Sequence, residues 1–410
     1  MRKTNFAAGI TISTLLMGVS ATAFAQTAPD ILNEQINMGD VFADMDVVVD
    51  GDHNGNVGST ALATGNAASG LDDGATDGQV ESDQTMSGEA TAIATLSGGR
   101  VFGTSSADAT AYGNSTTGSQ YQPDRLDQTV TVDSTISSTA NVSSTTANTI
   151  NASATSAANI HDLTYTMGTV NANADQVSNA DVSATVNADV CCSVDDTNAN
   201  ALAVNNSYQA SSTYSSAFHN VQQDSANGTV SAATNLVQPN GNNISANAQA
   251  MGNNVVADNT WGYSQLDGSQ TNSSTIEAET IVELADWDGT ASISAYGVGN
   301  SAMQTNVGSD LNAYYTQTNS GDVTSLTGFE GGNGGAGNLT TSSTAIGNTY
   351  TGYVCATCQS ATPGGYVSQT NSGNVVARGQ AWAGSSGNVY GSAAAIGNSA
   401  NYSTNNAGGD

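Results

Sequence analysis

Two short sequence patterns recur along the chain at a nearly constant spacing, and this repeat limits the possible folds more than any other feature. One pattern begins with glutamine, as in Gln-Thr-Asn-Ser-Gly at residues 317–321. The other ends in Gly-Asn, as in Ala-Ile-Gly-Asn at residues 345–348. Each glutamine precedes its asparagine by 29 to 31 residues, and the pair returns about every 47 residues. A disordered chain has no physical reason to keep such a spacing, so the period predicts a repeat protein.

The two patterns define eight units, each with one glutamine and one asparagine. The glutamines are Gln35, Gln84, Gln128, Gln176, Gln223, Gln270, Gln317 and Gln369. The asparagines are Asn66, Asn114, Asn159, Asn206, Asn253, Asn300, Asn348 and Asn398. Units three and four are degenerate, because their asparagines follow alanine and asparagine instead of glycine.

The segments between these residues have the alternation of short β-strands. Small residues occupy every second position, as in the Ala-x-Ala-x-Ala runs at 107–111 and 246–250. One such unit cannot bury enough surface alone, whereas stacked units pair their backbones and align their amides into ladders. We therefore predict an all-β fold, an elongated β-solenoid or β-helix of about eight 47-residue units, with the glutamines and asparagines as the ladder residues.

Two other architectures have comparable periods. A propeller allows eight blades of this length, but its blades carry aromatic and branched residues that are scarce here, where aromatic residues make up 6%. A transmembrane barrel needs apolar bands and aromatic girdles, which the polar C-terminus lacks. The spacing leaves the number of coils per unit open; two coils per unit would give a rod of about 75 Å.

The N-terminus has the features of a secretory signal peptide. Two basic residues precede an apolar stretch at 6–21, and an Ala-Phe-Ala sequence then ends at Ala25. Cleavage is predicted between Ala25 and Gln26, which gives a signal peptide at 1–25 and a repeat domain at 26–410. The apolar stretch is too short to span a membrane and nothing similar recurs, so no transmembrane segment is predicted.

The charge of the chain restricts its partners. The formal net charge is −30, and no lysine follows the predicted signal peptide. Nucleic acids and anionic membrane surfaces are therefore poor partners. A cationic surface, divalent ions and a neutral glycan remain open, as does an acidic surface that only keeps an exported protein soluble.

The cysteines suggest a structural role. Cys355 and Cys358 lie in the longest spacer between units, and in an oxidising compartment this pair is expected to form a local disulfide. No helix is evident that would lower a thiol pKa, so a structural clip is favoured over a redox or zinc site. The bonding of the adjacent Cys191 and Cys192 is left open.

No residue set in the sequence points to catalysis or to a bound cofactor. The segment 50–55 resembles the first half of a calcium loop, but position twelve is Ala61 where such loops have glutamate, so a solvated acidic turn is the favoured explanation. His53, His161 and His219 lie in different units. We predict that the protein is not an enzyme and has no catalytic, cofactor or metal residues.

The glutamine and asparagine series, together with the signal peptide and the lack of lysine, resembles the exported holdfast anchoring protein D family of stalked bacteria. The series is also distantly similar to curlin repeats, which stack glutamine and asparagine. The resemblance implies a protein at the cell surface and outer membrane that tethers an adhesive polysaccharide. It also implies other anchor and secretion proteins as partners, amyloid-like self-association and export through a curli-type pore.

The sequence therefore favours a structural anchor with adhesive polysaccharide as its partner. Two alternatives stay open at this point. One is a glycan-active enzyme built on a β-helix, and the other is a calcium-stabilised adhesin similar to surface-layer proteins.

Overall fold

The computed structural model describes residues 31–71, 80–120, 124–130, 134–191, 194–335, 337–356 and 361–406. The predicted signal peptide, Cys192 and Cys358 lie outside these ranges. The regular structure within them consists of the following strands: β1 (Ile31–Asn37), β2 (Val41–Val49), β3 (Val57–Leu71), β4 (Val80–Met86), β5 (Ala90–Gln120), β6 (Asp124–Val130), β7 (Thr135–Ser178), β8 (Asp181–Val190), β9 (Val194–Ser225), β10 (Thr229–Thr260), β11 (Ser264–Asn272), β12 (Thr275–Trp287), β13 (Thr290–Val307), β14 (Leu311–Asn319), β15 (Val323–Asn333), β16 (Asn338–Ala356), β17 (Pro363–Asn371), β18 (Val375–Ser385) and β19 (Asn388–Asn406).

The predicted all-β class is confirmed, and the strands pair in parallel around a common interior. Each residue pairs with one about a period away, from 45 residues for Asn114 and Asn159 to 52 for Gln317 and Gln369. Two coils per unit would pair residues half a period apart, so that assumption is wrong. Every pair recorded in the described ranges is parallel, unlike the antiparallel strands of propeller blades. No helix in these ranges is long and apolar enough to cross a membrane.

One unit forms a single layer with three strand segments, which are clearest at β11, β12 and β13. These pair with β14, β15 and β16 of the next unit, in the same order. The longest strands, such as β7 and β9, run through two or three of these segments and bend at the corners. In β9 the bend coincides with Tyr214, whose φ of 59° is left-handed.

Alanine columns keep the interior thin. One column contains Ala109, Ala154, Ala201, Ala248 and Ala295, all aligned in register and buried. Because these side chains are small, the walls on either side of the interior approach within hydrogen-bonding distance. In a neighbouring layer, Ser343 Oγ donates to Ser325 Oγ at 2.9 Å across that space. Backbone ladders and many small contacts thus replace the large apolar core of a globular domain.

Large side chains fill the interior where its walls diverge. The Trp287 ring is buried and meets Phe329 edge-on at 5.2 Å. The glycine-rich segment at the end of β15 makes room for it, because a Cβ at Gly331 would lie 2.8 Å from the Trp287 ring and one at Gly334 would overlap it. Four buried tyrosines fill a second apolar cluster: Tyr165, Tyr208, Tyr315 and Tyr350.

Candidate functional site

The eight glutamines of the repeat lie in one continuous column. Register pairs each glutamine with the next across all seven junctions. In the central layers, Gln270 Nε2 donates to Gln223 Oε1 at 2.8 Å, and Gln317 Nε2 donates to Gln270 Oε1 at 2.7 Å. The second N–H of each of these donors binds a backbone carbonyl within its own unit, as from Gln270 to Ser301 at 2.7 Å. A glutamine in this ladder therefore ties two layers together and closes its own layer.

The eight asparagines form a second column in the same way. They also pair in register at all seven junctions. Asn253 Nδ2 donates to Asn300 Oδ1 at 2.8 Å, and Asn300 Nδ2 donates to Asn348 Oδ1 at 2.8 Å. The other N–H of Asn300 binds the Thr318 carbonyl oxygen at 2.9 Å. The asparagine ladder thus joins the third strand segment of each layer to the first segment of the next.

The two ladders run in opposite directions. In the central layers the asparagines donate to their neighbours on the C-terminal side, whereas the glutamines donate to their neighbours on the N-terminal side. The interior members of both ladders are almost fully buried, with Gln270 and Asn300 at 0% exposure. A buried amide without partners would destabilise the fold, so these ladders stabilise the stack. Their burial also keeps them from contacting a polysaccharide.

A third asparagine column explains the glycine of the Gly-Asn pattern. Asn319 lies two residues after Gln317, so both side chains point inward, and Asn272 Nδ2 donates to Asn319 Oδ1 at 2.7 Å. A Cβ on Gly299 would lie 2.6 Å from the Gly347 carbonyl oxygen and closer still to Asn319 Oδ1. The glycine is therefore required by the close packing of its neighbours. This column was not predicted from the sequence, although the Gln-Thr-Asn motif places its asparagines on the inward face.

The degenerate units keep this packing through paired replacements. Asn205 replaces the glycine, and the residue two positions after the next glutamine is Ser225 instead of asparagine. Asn205 Nδ2 donates to Ser225 Oγ at 2.5 Å, and Ser178 Oγ donates to Asn205 Oδ1 at 3.0 Å. A larger side chain on one strand is thus balanced by a smaller one on the facing strand.

Two histidines that are far apart in the sequence meet in the interior. His161 stacks on Tyr208, with ring centroids 4.7 Å apart, and the Tyr208 hydroxyl bonds His219 Nδ1 at 2.8 Å. Burial, and to a lesser extent the nearby His219, lowers the pKa of His161 from 6.5 to about 3. Burial lowers the pKa of His219 to about 4. Both rings are therefore neutral at neutral pH, as expected for core residues.

The other sequence predictions lie on the surface or outside the described residues. The predicted Cys355–Cys358 disulfide and the Ala25–Gln26 cleavage stay predictions, because Cys358, Ala25 and Gln26 are not described. The segment 50–55 forms an exposed turn between β2 and β3, with Gly51 at a φ of 86°. In the described part of the chain, no three or more His, Cys, Asp or Glu residues are grouped so as to hold a metal ion.

One column of the outer wall combines carboxylates with an aromatic ring. Register places Glu283 beside Glu330 and Glu330 beside Trp382, in three successive layers. All three side chains are exposed, and Trp382 has 57% of its surface accessible. Two shallow grooves of about 500 and 420 Å³ lie along this column. An exposed aromatic face beside hydrogen-bond acceptors is suited to binding a polar ligand with an apolar face.

Comparison with known proteins bears directly on this repeat. No curated protein and no solved structure matches the chain significantly. Residues 52–322 match the sequence profile of the family HfaD, described as holdfast attachment protein D, and this match covers about two thirds of the 410 residues. The family predicted from the sequence is thereby confirmed, and the chain belongs to the holdfast attachment protein D family.

Proposed function

We propose that this chain is an exported structural protein that anchors an adhesive polysaccharide, the holdfast, to the outer envelope at the cell surface. Membership of the holdfast attachment protein D family is the observation that carries this proposal. It acts without catalysis, beside other anchor and secretion proteins. The predicted signal peptide at 1–25 supports export, and residues 26–410 form the anchor domain.

The proposed winding is a β-solenoid of eight units. The parallel pairing at one period and the two in-register amide columns support this winding. Eight layers at about 4.8 Å give a stack of roughly 35–40 Å, about half of the length expected for two coils per unit. The stack is therefore short, and several copies would have to associate to span a longer distance.

The outer wall offers a contact for the polysaccharide. The ladder amides are buried, so a glycan has to bind side chains that point outward. The column of Glu283, Glu330 and Trp382 provides an aromatic face for the apolar side of a sugar ring and carboxylates for its hydroxyl or ammonium groups. We assign the glycan contact to this column.

Two experiments test this function at different levels. Deleting the gene should release adhesive material from the cells and reduce attachment, as measured by lectin staining of cells and medium. Purified Trp382→Ala protein should bind isolated holdfast polysaccharide about tenfold more weakly, because loss of an aromatic contact costs on the order of 1–2 kcal/mol. Trp261→Ala is the matched control, since Trp261 is also exposed but lies in the turn after β10.

The outcomes separate the anchor role from the proposed contact. Normal attachment of the deletion strain would contradict the anchor function. Equal polysaccharide binding by Trp382→Ala and the wild type would reject only the assigned column. We also propose that the protein self-associates. The end strands of the stack, which are paired on one side only within the described residues, support this.

A further inference from the structure

Both ends of the stack present strands that are paired on one side only within the described residues. At the N-terminal end these strands are β1, β2 and β3, of 7, 9 and 15 residues. At the C-terminal end they are β17, β18 and β19, of 9, 11 and 19 residues. The three segments follow the same order and have similar lengths at both ends. The N-terminal layer of one copy therefore has the geometry needed to follow the C-terminal layer of another copy.

Among the described residues, the interior is also open at both ends. Val41 and Ala43 at the N-terminal end, and Val375 and Ala377 at the C-terminal end, pack against the buried core but keep part of their surface accessible. Column by column, register places Val41 and Val375 in one inward row and Ala43 and Ala377 in the next such row. If the two ends met, the apolar side chains of one end would therefore lie in the same inward rows as those of the other.

The ladders give the ends complementary hydrogen-bonding groups. Because glutamines donate toward the N-terminal end, Gln35 has a further N–H to give, while Gln369 Oε1 is the last acceptor of that column. Because asparagines donate in the opposite direction, Asn66 Oδ1 can accept and Asn398 can donate. Joining unlike ends in register therefore continues both ladders.

The two ends also differ in charge, and this difference again favours contact between unlike ends. The first layer, residues 31–71, contains six acidic residues and no lysine or arginine. The last layer, residues 361–406, contains no acidic residue and one basic residue, Arg378. Two N-terminal ends would repel each other, while an N-terminal end attracts a C-terminal end.

We propose that copies of this protein stack head to tail, with the C-terminal layer of one copy pairing in register with the N-terminal layer of the next. This rests on the self-association proposed above and names its geometry. Continuing the existing columns places Gln369 on Gln35 and Asn398 on Asn66 of the next copy. It also places Arg378 beside Asp44 of the next copy, because both lie in one outward column of the layers, and both side chains are exposed.

Charge reversal across this junction tests the register. Mature protein is studied by light scattering and analytical ultracentrifugation over a wide concentration range, with Arg378→Glu and Asp44→Arg made singly. Each variant places like charges at its own junctions, so each should associate about tenfold more weakly than the wild type. A mixture of the two should regain assembly, because the two introduced side chains, of opposite charge, then face each other at one junction while Arg378 and Asp44 face each other at the other.

A control in the same column separates this junction from general charge effects. Glu279 is exposed in the middle of the stack, so Glu279→Arg makes the same charge change as Asp44→Arg without altering an end. Normal assembly of Glu279→Arg and recovery in the mixture would support the proposed stack. If both end variants associate as well as the wild type, or if their mixture does not recover, the proposed register is overturned while self-association stands. A monomeric wild type would overturn both, and the anchor function would still be judged by attachment.

Discussion

Replacing Gln270 with alanine is the most direct test of the ladders. Gln270 is fully buried, donates to Gln223 and Ser301, and accepts from Gln317. The substitution leaves two buried acceptors and one buried donor without their partner. Each such group costs about 1–3 kcal/mol, and the lost side chain also leaves a cavity. We therefore expect the free energy of unfolding to fall by about 4 kcal/mol.

The matched control lies in the same column at the end of the stack. Gln35 is only half-buried, and it donates to the Ala67 carbonyl and accepts from Gln84. Solvent can replace these partners, so Gln35→Ala should cost less than about 1.5 kcal/mol. Urea unfolding followed by circular dichroism gives both free energies. Hydrogen exchange at the amides of β11 shows whether the loss is local, as it can be in a stack of repeats.

Gln270→Ala and Gln35→Ala change the same residue type at the same position in the unit, so they differ mainly in the burial of the side chain. A Gln270→Ala protein within about 1 kcal/mol of the wild type would refute the stabilising role of the ladder. Equal losses in the two variants would show that burial does not set the contribution of the amide.

Two further predictions concern packing and pH. Gly299→Ala should lower the free energy of unfolding by about 2–3 kcal/mol because its Cβ meets Asn319, and adding Asn319→Ser should recover part of this, measured by a double-mutant cycle in urea. Acid should also destabilise the fold: the lowered pKa values of His161 and His219 mean that the unfolded chain binds more protons below pH 6.5. Each histidine should remove about 2 kcal/mol by about pH 5, and His161→Phe should flatten the pH dependence of unfolding; an unchanged slope would contradict the assignment.

Much of the fold could be predicted from the spacing of a few residue types. Identical amides at one period align only when the strands pair in parallel, and alternating alanines imply a thin interior. The number of layers per unit could not be predicted, because a 47-residue unit accommodates one long coil or two short ones. The backbone register decides between them: Gln270 lies beside Gln317, a full period away.

The histidine cluster shows the limit of such reasoning in a single site. His161 and Tyr208 are one period apart, so their contact follows from the repeat. His219 approaches Tyr208 from the same strand, β9, after the chain turns at Tyr214. The corner depends on a non-glycine residue with left-handed φ, and no residue pattern in the sequence predicts it.

The degenerate units indicate how the structural and functional residues of this chain are divided. Asn159 and Asn206 remain in the ladder although their preceding glycines are lost, and Asn205 with Ser225 restores the packing. The buried columns therefore accept only coordinated changes, since each side chain is fixed by partners in two layers. The outward columns have no such constraint, because solvent satisfies their polar groups. Binding specificity for a ligand outside the stack is therefore expected in outward columns such as that of Trp382, while the ladders fix how those columns are aligned from layer to layer.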